Sequence, residues 1–484
     1  MSLALTGLLA RLPASTQVVG DRDVMVDSLE IDSRAVKQGG LFVALHGEHV
    51  DGHAFIKDAI AKGARVVVAD AARRFDGGET VTLVFVPDTR RALSAIAAAF
   101  YHDPSRSLAV IGVTGTNGKT TTTHMISAIL NRAKKPCGLI GTVGAEFGSK
   151  KWTLSNTTPQ PPELQSILAR MHDTGANAVA MEVSSHALAL DRVEDVRFQI
   201  GVLTNVTRDH LDFHETVEAY AAAKRRLFNM AEMAVINIDD EHGERWAGDV
   251  SRKVKTLTYS LRGNADVVAA NIEVDPQECR FDLDGRAFVV PMLGKFNISN
   301  ALAALCVARL LEIDDEITHE ALWQMGGVPG RMEYVGDNIV NAVVDYAHTP
   351  DALEQALWAL REATNGVALV FGCGGDRDKG KRAEMGRIAA QHAKRIYVTS
   401  DNPRTEDPMQ IIREIESGMG AHEHIVEPDR KLAIERAVDE AKPGEIVLIA
   451  GKGHEKYQIV GTQTLPFDDA EIARVAIRAR RSRK

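Results

Sequence analysis

Several things are missing from this chain, and each absence removes a class of protein. No apolar run approaches the ~18 residues that cross a bilayer, so no membrane span is expected. The opening MSLALTGLLARLPAST lacks a basic n-region and its apolar stretch is short, so no signal peptide is expected and the location reads as cytoplasmic. Cysteine is scarce. Cys137, Cys279, Cys306 and Cys373 stand far apart and fit neither a disulfide framework nor a C-x-x-C metal site, as in a reducing compartment. Positive charge is also short: 57 Lys and Arg face 66 Asp and Glu, a formal net charge of −9. A protein that coats nucleic acid needs a net basic surface, so no nucleic-acid partner is expected. There is no repeat at solenoid periods and no low-complexity segment. What remains is a multidomain chain of 484 residues, enough for about three domains at ~150 residues each. Its expected oligomeric state is a monomer.

What the chain does have is a rhythm of short apolar runs separated by helical patterns. Residues 1–87 read as a small α/β unit: an amphipathic opening helix, the segment IDSRAVKQGGLFVALHGEHVDGHAFI punctuated by Gly39-Gly40 and Gly47, then the strand ARVVVAD. A helix around Arg90 to Phe100 leads through Asp103-Pro104 into LAVIGV at 108–113. AVAMEV (178–183), QIGVLT (199–204) and MAVINI (233–238) follow. Continuous apolar strands alternating with helices predict a parallel sheet covered on both faces. After Gly330-Arg331 a second series begins with VNAVVD, VALVFG, RIYVTS and EIVLIA, predicting a smaller doubly wound sheet. The expected fold class is therefore α/β with three domains. These are a small N-terminal α/β domain (1–87), a central P-loop-type domain with a mostly parallel sheet (88–332), and a C-terminal Rossmann-like doubly wound domain (333–484). The basic tail from Arg474 to Lys484 reads as an exposed helix end.

The strongest chemical signal is LAVIGVTGTNGKTTTT. An apolar strand enters a glycine-rich turn ending Gly118-Lys119-Thr120, and a helix follows. Glycines let backbone N–H groups converge on one anion, and the helix N-terminus adds partial positive charge. Lys119 can then reach the β- and γ-phosphates while the Thr120 hydroxyl ligates Mg²⁺. The spacing departs from G-x-x-x-x-G-K-[ST], since Val113 stands where the first glycine belongs and glycines fall at 112 and 115. Strand, Gly-Lys-Thr and helix together still indicate a nucleoside triphosphate site.

Three more residues narrow the chemistry. Glu182 ends the strand AVAMEV, and His210 follows QIGVLTN in NVTRDH. Both fall just past strand carboxyl ends, where open α/β sheets place their ligands. A carboxylate there suits hard Mg²⁺, and a histidine can complete a second metal site. Lys224 shares one helical face with Val217, Tyr220, Ala221, Leu227 and Phe228, whereas Arg225 and Arg226 point elsewhere. One account is a lysine laying its stem over apolar surface. The other is a desolvated amine with a lowered pKa, able to react with CO₂ and become a carbamate that holds Mg²⁺.

Taken together, GTNGKTTTT, MEVSSHAL, TNVTRDHLD, YAAAKRRLF, GKFNISN, PGRMEYV and DYAHTPDAL resemble the Mur ligases, ATP-dependent ligases that build the peptidoglycan stem peptide. The resemblance runs in order along essentially the whole chain. It implies that Gly115, Thr116, Asn117, Gly118, Lys119, Thr120 and Thr121 hold the ATP phosphates, and that Asn297, Arg331 and Asp345 contact the nucleotide. It implies a Mg²⁺ site of Thr120, Glu182, His210 and Lys224 as its CO₂-derived carbamate, with Lys119, Lys224, Glu182 and His210 serving catalysis. Ile31, Ser33 and Glu48-His49-Val50 would meet a UDP-sugar. Asn156, Thr157, Thr158, Ser184 and Arg192 would hold the rest of a UDP-N-acetylmuramoyl-dipeptide. Leu190 stands where some relatives carry Gln, which removes one polar contact.

The segments IDSRAVKQGGLFVALHG, GCGGDRDKGKR, DNPRTEDP and AGKGHEKYQ resemble the family member that adds the third amino acid. Its DNPR string is similar to the signature of enzymes using meso-2,6-diaminopimelate. Arg377 and Arg404 offer planar forks for a carboxylate, Asp401 and Glu455 can hold an ammonium, and the Asn402 amide can serve either. Pro403 and Gly451 complete that set. Diaminopimelate exceeds lysine by one terminal carboxylate, so an added Arg is the chemical answer. The alternatives are L-lysine as the amino acid, a folylpolyglutamate synthase-type ligase, and a P-loop regulatory ATPase. The first domain and DNPR weigh against the second, and the Arg377–Arg404 region against the third.

Overall fold

The computed structural model describes residues 2–47, 50–73, 75, 80–275, 277–361 and 364–483. Glu48 and His49, two of the positions expected to meet a UDP-sugar, lie outside them. The chain forms two compact units. The first comprises Met1–Thr123, Leu130–Ile236 and Asp240–Thr256; the second comprises Leu257–Lys484 with His124–Ile129 and Asn237–Asp239.

The first unit carries two sheets. In the N-terminal one the strands lie in the order Gln17–Val19, Thr82–Val86, Ala64–Asp70, Gly40–Val43, Leu29–Glu30. All neighbours are parallel except Gln17–Val19. Val66, Val67 and Val68 are fully buried, each worth ~1.5–3 kcal/mol of apolar transfer. Asp88 caps the helix Thr89–Phe100 by accepting from the Arg90 and Arg91 N–H groups. That helix turns Leu93, Ile96 and Phe100 onto the sheet.

In the second sheet of this unit seven strands run in the order Lys150–Trp152, Gly144–Phe147, Cys137–Gly141, Ala178–Glu182, Ala109–Thr114, Phe198–Leu203, Ala231–Asn237. The last five are mutually parallel and the first two form an antiparallel edge. Four of the parallel strands are the apolar runs of the sequence, shifted by a residue or two, and Cys137–Gly141 is a fifth that was not anticipated. The antiparallel edge has no such apolar run and was not anticipated. The helical pattern over 215–230 resolves into Val217–Arg225 and Leu227–Met230, broken at Arg226.

The second unit contains a doubly wound sheet in the order Glu333–Tyr334, Asn341–Asp345, Ile446–Ala450, Val367–Phe371, Arg395–Val398, Ile425–Val426. Only Glu333–Tyr334 is antiparallel. Helices Pro350–Arg361, Gly380–His392 and Pro408–Glu416 pack on one face, and Arg430–Glu440 and Asp469–Arg481 on the other. Asp345 is level with Ala450, Ile449 with Val370 and Phe371 with Val398, so four loops leave the sheet at one edge. The basic tail ends the helix Asp469–Arg481 and is largely exposed, yet Arg483 pairs with Asp439 and Arg480 donates to the Val438 and Ala441 carbonyls.

One buried ion pair braces that edge. Arg430 and Asp469 are both fully buried and doubly hydrogen-bonded, and Arg430 Nη2 also donates to the Ala450 carbonyl at 3.0 Å. Arg430→Met strands the Asp469 carboxylate. We expect it to cost about 3–5 kcal/mol, read as an earlier unfolding transition in chemical denaturation.

Candidate functional site

In the first unit the carboxyl ends of three adjacent strands, Ala178–Glu182, Ala109–Thr114 and Phe198–Leu203, lie level: Glu182 beside Val113 and Leu203 beside Thr114. The phosphate loop leaves the middle one and enters the helix Lys119–Arg132. It is tied to the chain following Leu203. Thr116 N donates to the Asn205 carbonyl at 2.9 Å. Asn117 N donates to Asn205 Oδ1 at 2.9 Å, and Thr204 Oγ1 to the Asn117 carbonyl at 2.6 Å. A Cβ on Gly115 would lie 1.9 Å from Thr204 Oγ1, so only glycine fits there. Lys119 Nζ folds onto the loop, donating to the Gly115 and Thr116 carbonyls at 2.8 Å.

Glu182 is buried and its carboxylate accepts from Thr120 Oγ1 at 2.9 Å, Thr142 N at 2.9 Å and Thr142 Oγ1 at 3.1 Å. The sequence reading missed Thr142. Its one signal was its position just past the strand Cys137–Gly141, which neighbours the strand of Glu182. Lys224 is almost fully buried; its Nζ donates to the Gly115 carbonyl at 2.7 Å and stands 4.4 Å from the Tyr220 ring. Burial pushes its pKa well below the ordinary lysine value, and nearby Lys119 adds to the fall. Tyr220 in turn meets Thr116 Oγ1 through its hydroxyl at 3.1 Å. His210, in the left-handed region at φ 52°, flanks the other side of this group, its ring 6.1 Å from that of Tyr220 and 4.8 Å from that of His186. Burial, then His210 and His214, pushes His186 down to about 4, so that ring is neutral at neutral pH.

These residues can be tested against a divalent cation. Among the described residues no group of three or more His, Cys, Asp or Glu side chains is placed to hold a metal. The oxygen pair Thr120 Oγ1 and Glu182 nevertheless fits Mg²⁺, which takes few protein ligands and keeps water and phosphate oxygens for the rest. A buried Lys224 amine whose pKa is lowered fits carbamate formation, since CO₂ reacts only with the uncharged form.

The residues expected to hold the peptide part of a UDP-linked substrate cluster beside Glu182. Thr158 Oγ1 donates to the Glu182 carbonyl at 2.9 Å and accepts from Ser184 N at 3.0 Å. Thr157 Oγ1 meets Thr142 Oγ1 at 3.2 Å, and the Asn156 amide donates to Ser155 Oγ at 3.2 Å. Arg192 Nη1 donates to the Thr158 carbonyl at 3.1 Å, while its buried Nε has no hydrogen-bond partner among the described residues. Burial, with Arg90 nearby, lowers the Arg192 pKa. Leu190 closes the short helix Ser185–Ala189. In the N-terminal sheet Ile31 and Ser33 follow the strand Leu29–Glu30, and the exposed Val50 comes after its parallel neighbour Gly40–Val43.

The second unit gathers the remaining residues. Asn297 is buried, donating to the Leu293 carbonyl at 2.8 Å and accepting from Asn300 at 3.1 Å. Asp345 accepts from the Met332 and Ala347 N–H groups at 2.7 and 2.9 Å, and burial raises its pKa. Arg331 stacks over the Tyr346 ring at 4.7 Å. Along the shared strand edge, Arg404 Nη1 donates to the Gly375 carbonyl at 2.7 Å. A Cβ on Gly374 would lie 3.0 Å from that nitrogen and 3.8 Å from Arg377 Cγ, so both arginines frame one glycine turn. Asp401, Asn402 and Pro403 are buried and Gly451 carries φ 119°. The Asn402 amide does not stand ready for a ligand. Its Oδ1 accepts from Lys452 Nζ and Ile459 N at 2.9 and 3.0 Å, and its Nδ2 donates to Glu455 at 3.0 Å.

Comparison with known proteins agrees along the whole chain. Residues 113–308 match the Mur ligase middle domain, 330–453 the Mur ligase glutamate ligase domain, and 26–101 the catalytic domain of the Mur ligase family. A UDP-N-acetylmuramoyl-L-alanyl-D-glutamate–2,6-diaminopimelate ligase of Gloeobacter violaceus is 45 % identical over 494 residues, covering 100 % of this chain and 99 % of that protein. The ligase of the same name from Bacillus licheniformis is 42 % identical over 491 residues, covering 98 % and 99 %. A solved structure of a ligase of that name superposes with a TM-score of 0.70 at 35 % identity, over 99 % of this chain and 100 % of that one.

Proposed function

Because the chain belongs to the Mur ligase family, we propose that it joins meso-2,6-diaminopimelate to UDP-N-acetylmuramoyl-L-alanyl-D-glutamate at the expense of ATP. It is an ATP-dependent, amide-bond-forming ligase. The products are the UDP-N-acetylmuramoyl-tripeptide, ADP and phosphate. The observation that carries the choice of amino acid is the edge of the second sheet, where Arg377 and Arg404 frame one turn beside the Asp401–Glu455 acids. An amino acid whose far end bears both a carboxylate and an ammonium finds a partner for each there.

The residues divide the work in the order of the reaction. The free D-glutamate carboxylate attacks the γ-phosphorus of ATP, forming an acyl phosphate as ADP leaves. Lys119 and the loop N–H groups of Gly115–Thr121 neutralise the charge that develops on the phosphate oxygens. Arg192, whose buried Nε has no partner among the described residues, holds an anionic group of the UDP-linked substrate with Asn156, Thr157, Thr158 and Ser184. The diaminopimelate amine then attacks the carbonyl carbon, a proton leaves the nitrogen, and phosphate departs. Asn297, Arg331 and Asp345 are assigned to the nucleotide, and Ile31, Ser33 and Val50 to the UDP-sugar. Thr120, Glu182, His210 and Lys224 as its carbamate would hold Mg²⁺, which supplies positive charge to the phosphates when bound.

The division into domains 1–87, 88–332 and 333–484 is kept as part of this proposal, as are a cytoplasmic setting and a monomeric state. Among the described residues no helix is long and apolar enough to cross a membrane.

The deciding experiment is ligation in the presence of ATP and Mg²⁺ with UDP-N-acetylmuramoyl-L-alanyl-D-glutamate, comparing meso-diaminopimelate with L-lysine. Tripeptide should form with diaminopimelate at a kcat/KM ~10⁴-fold or more above that for lysine, the scale at which a site built for a polar group rejects its deletion. Equal use of the two amino acids would remove the diaminopimelate assignment.

A further inference from the structure

The loop after Ile446–Ala450 carries a lysine that the proposed reaction leaves unused. Lys452 is fully buried. Its Nζ donates to Asn402 Oδ1 at 2.9 Å, lies 3.4 Å from both Asp401 Oδ1 and Glu455 Oε2, and stands 5.6 Å from the Tyr457 ring. Its two carboxylate partners are the acids assigned to the incoming ammonium. They are therefore met by an ammonium of the protein itself, and the cluster of Asp401, Glu455 and Lys452 carries one net negative charge instead of two.

We propose that Lys452 is a positioning and specificity-determining residue of the amino-acid site, acting against substrates whose far end is a bare ammonium. The proposal rests on the diaminopimelate assignment above. Lys452 orients Asp401, Asn402 and Glu455 through direct contacts, so the substrate ammonium meets acids already fixed in place. It also sets the charge of the site. Arg377, Arg404 and Lys452 outnumber Asp401 and Glu455 by one. The far end of diaminopimelate brings an ammonium and a carboxylate and is neutral, whereas that of lysine brings only positive charge into a site with a positive excess. Discrimination then has a repulsive element as well as the attractive Arg404 fork.

The test uses the full-length enzyme at saturating ATP and UDP-linked substrate. Lys452→Met and Lys452→Gln remove the charge, and Lys452→Arg keeps it. The ratio of kcat/KM for meso-diaminopimelate to that for L-lysine should fall at least ~10-fold in the Met and Gln variants, because removing a like charge relieves lysine's penalty. The fall should come through KM, and the Arg variant should retain the ratio. An unchanged ratio, whether both activities drop together or neither does, overturns the proposal. If neither neutral variant folds, the wild-type enzyme decides through competition against diaminopimelate. L-lysine should inhibit no better than norleucine, which lacks the terminal ammonium, and lysine binding more than ~10-fold tighter than norleucine overturns the proposal. Failure of the underlying assignment looks different: wild-type enzyme would then not prefer diaminopimelate at all.

Discussion

Replacing Lys224 by Ala will lower turnover by about a thousand-fold or more, the upper end of the cost of deleting one preorganised electrostatic group. The protein will remain folded, because the change removes a buried amine whose burial already disfavours its charge. The chemistry expected behind the loss is the proposed carbamate. A neutral amine adds to CO₂, the new N–C bond replaces an N–H, and the released proton leaves a carboxylate on a long stem. Only the deprotonated amine reacts, and the environment of Lys224 lowers its pKa through lost solvation and the proximity of Lys119. The sign follows: acidification protonates the amine, disfavours the adduct and lowers activity, and added bicarbonate should recover part of it. Formate or acetate added to the Lys224→Ala enzyme should restore measurable turnover by putting a carboxylate back where the side chain ended. Intact-mass measurement of the native enzyme should show an increment of one CO₂ that is absent from the variant. Full activity of Lys224→Ala would remove Lys224 from catalysis altogether.

That lysine also shows how much could be read before any coordinates. Its place among Val217, Tyr220, Ala221, Leu227 and Phe228 was visible from a 3.6-residue period, and all of these are buried with it except Val217, which is half-buried. What the period could not give was the acceptor. The Gly115 carbonyl that Lys224 reaches is 109 residues away in sequence, and no local pattern encodes such a pairing. Glu182 was legible from its position at a strand end, but Thr142, which donates to it twice, was not. The parallel strands were legible because burial on both faces demands continuous apolar runs. The hairpin Tyr457–Val460 with Gln463–Pro466 was missed because Val460 and Leu465 are exposed, leaving only a weak alternation. Lys452 did carry a signal, a charge one glycine beyond the all-apolar strand IVLIA. Its meaning needed the loop geometry that turns it back onto Asn402.

That hairpin bears on the second large effect. Arg404 adopts φ 50°, a left-handed conformation uncommon outside glycine. It is held there by backbone bonds to the hairpin on both sides: Arg404 N donates to the Ile459 carbonyl at 3.1 Å, and Gly461 N donates to the Arg404 carbonyl at 2.7 Å. With the backbone pinned and Nη1 on the Gly375 carbonyl, the direction of the guanidinium is set before substrate arrives. Replacing Arg404 by Met should therefore cost diaminopimelate about 30- to 5000-fold in kcat/KM, the range for truncating one partner of an enclosed, hydrogen-bonded charge pair. Turnover of L-lysine should not fall and should rise, since lysine has no carboxylate for the fork to meet and its ammonium loses one like charge opposite it, and the KM for ATP should hold. Arg404→Lys should not rescue diaminopimelate, because an ammonium supplies a point charge where the carboxylate needs two parallel donors. Steady-state kinetics with both amino acids on the three proteins read these outcomes directly. Equal losses for diaminopimelate and lysine would mean that Arg404 shapes the loop and does not select the substrate.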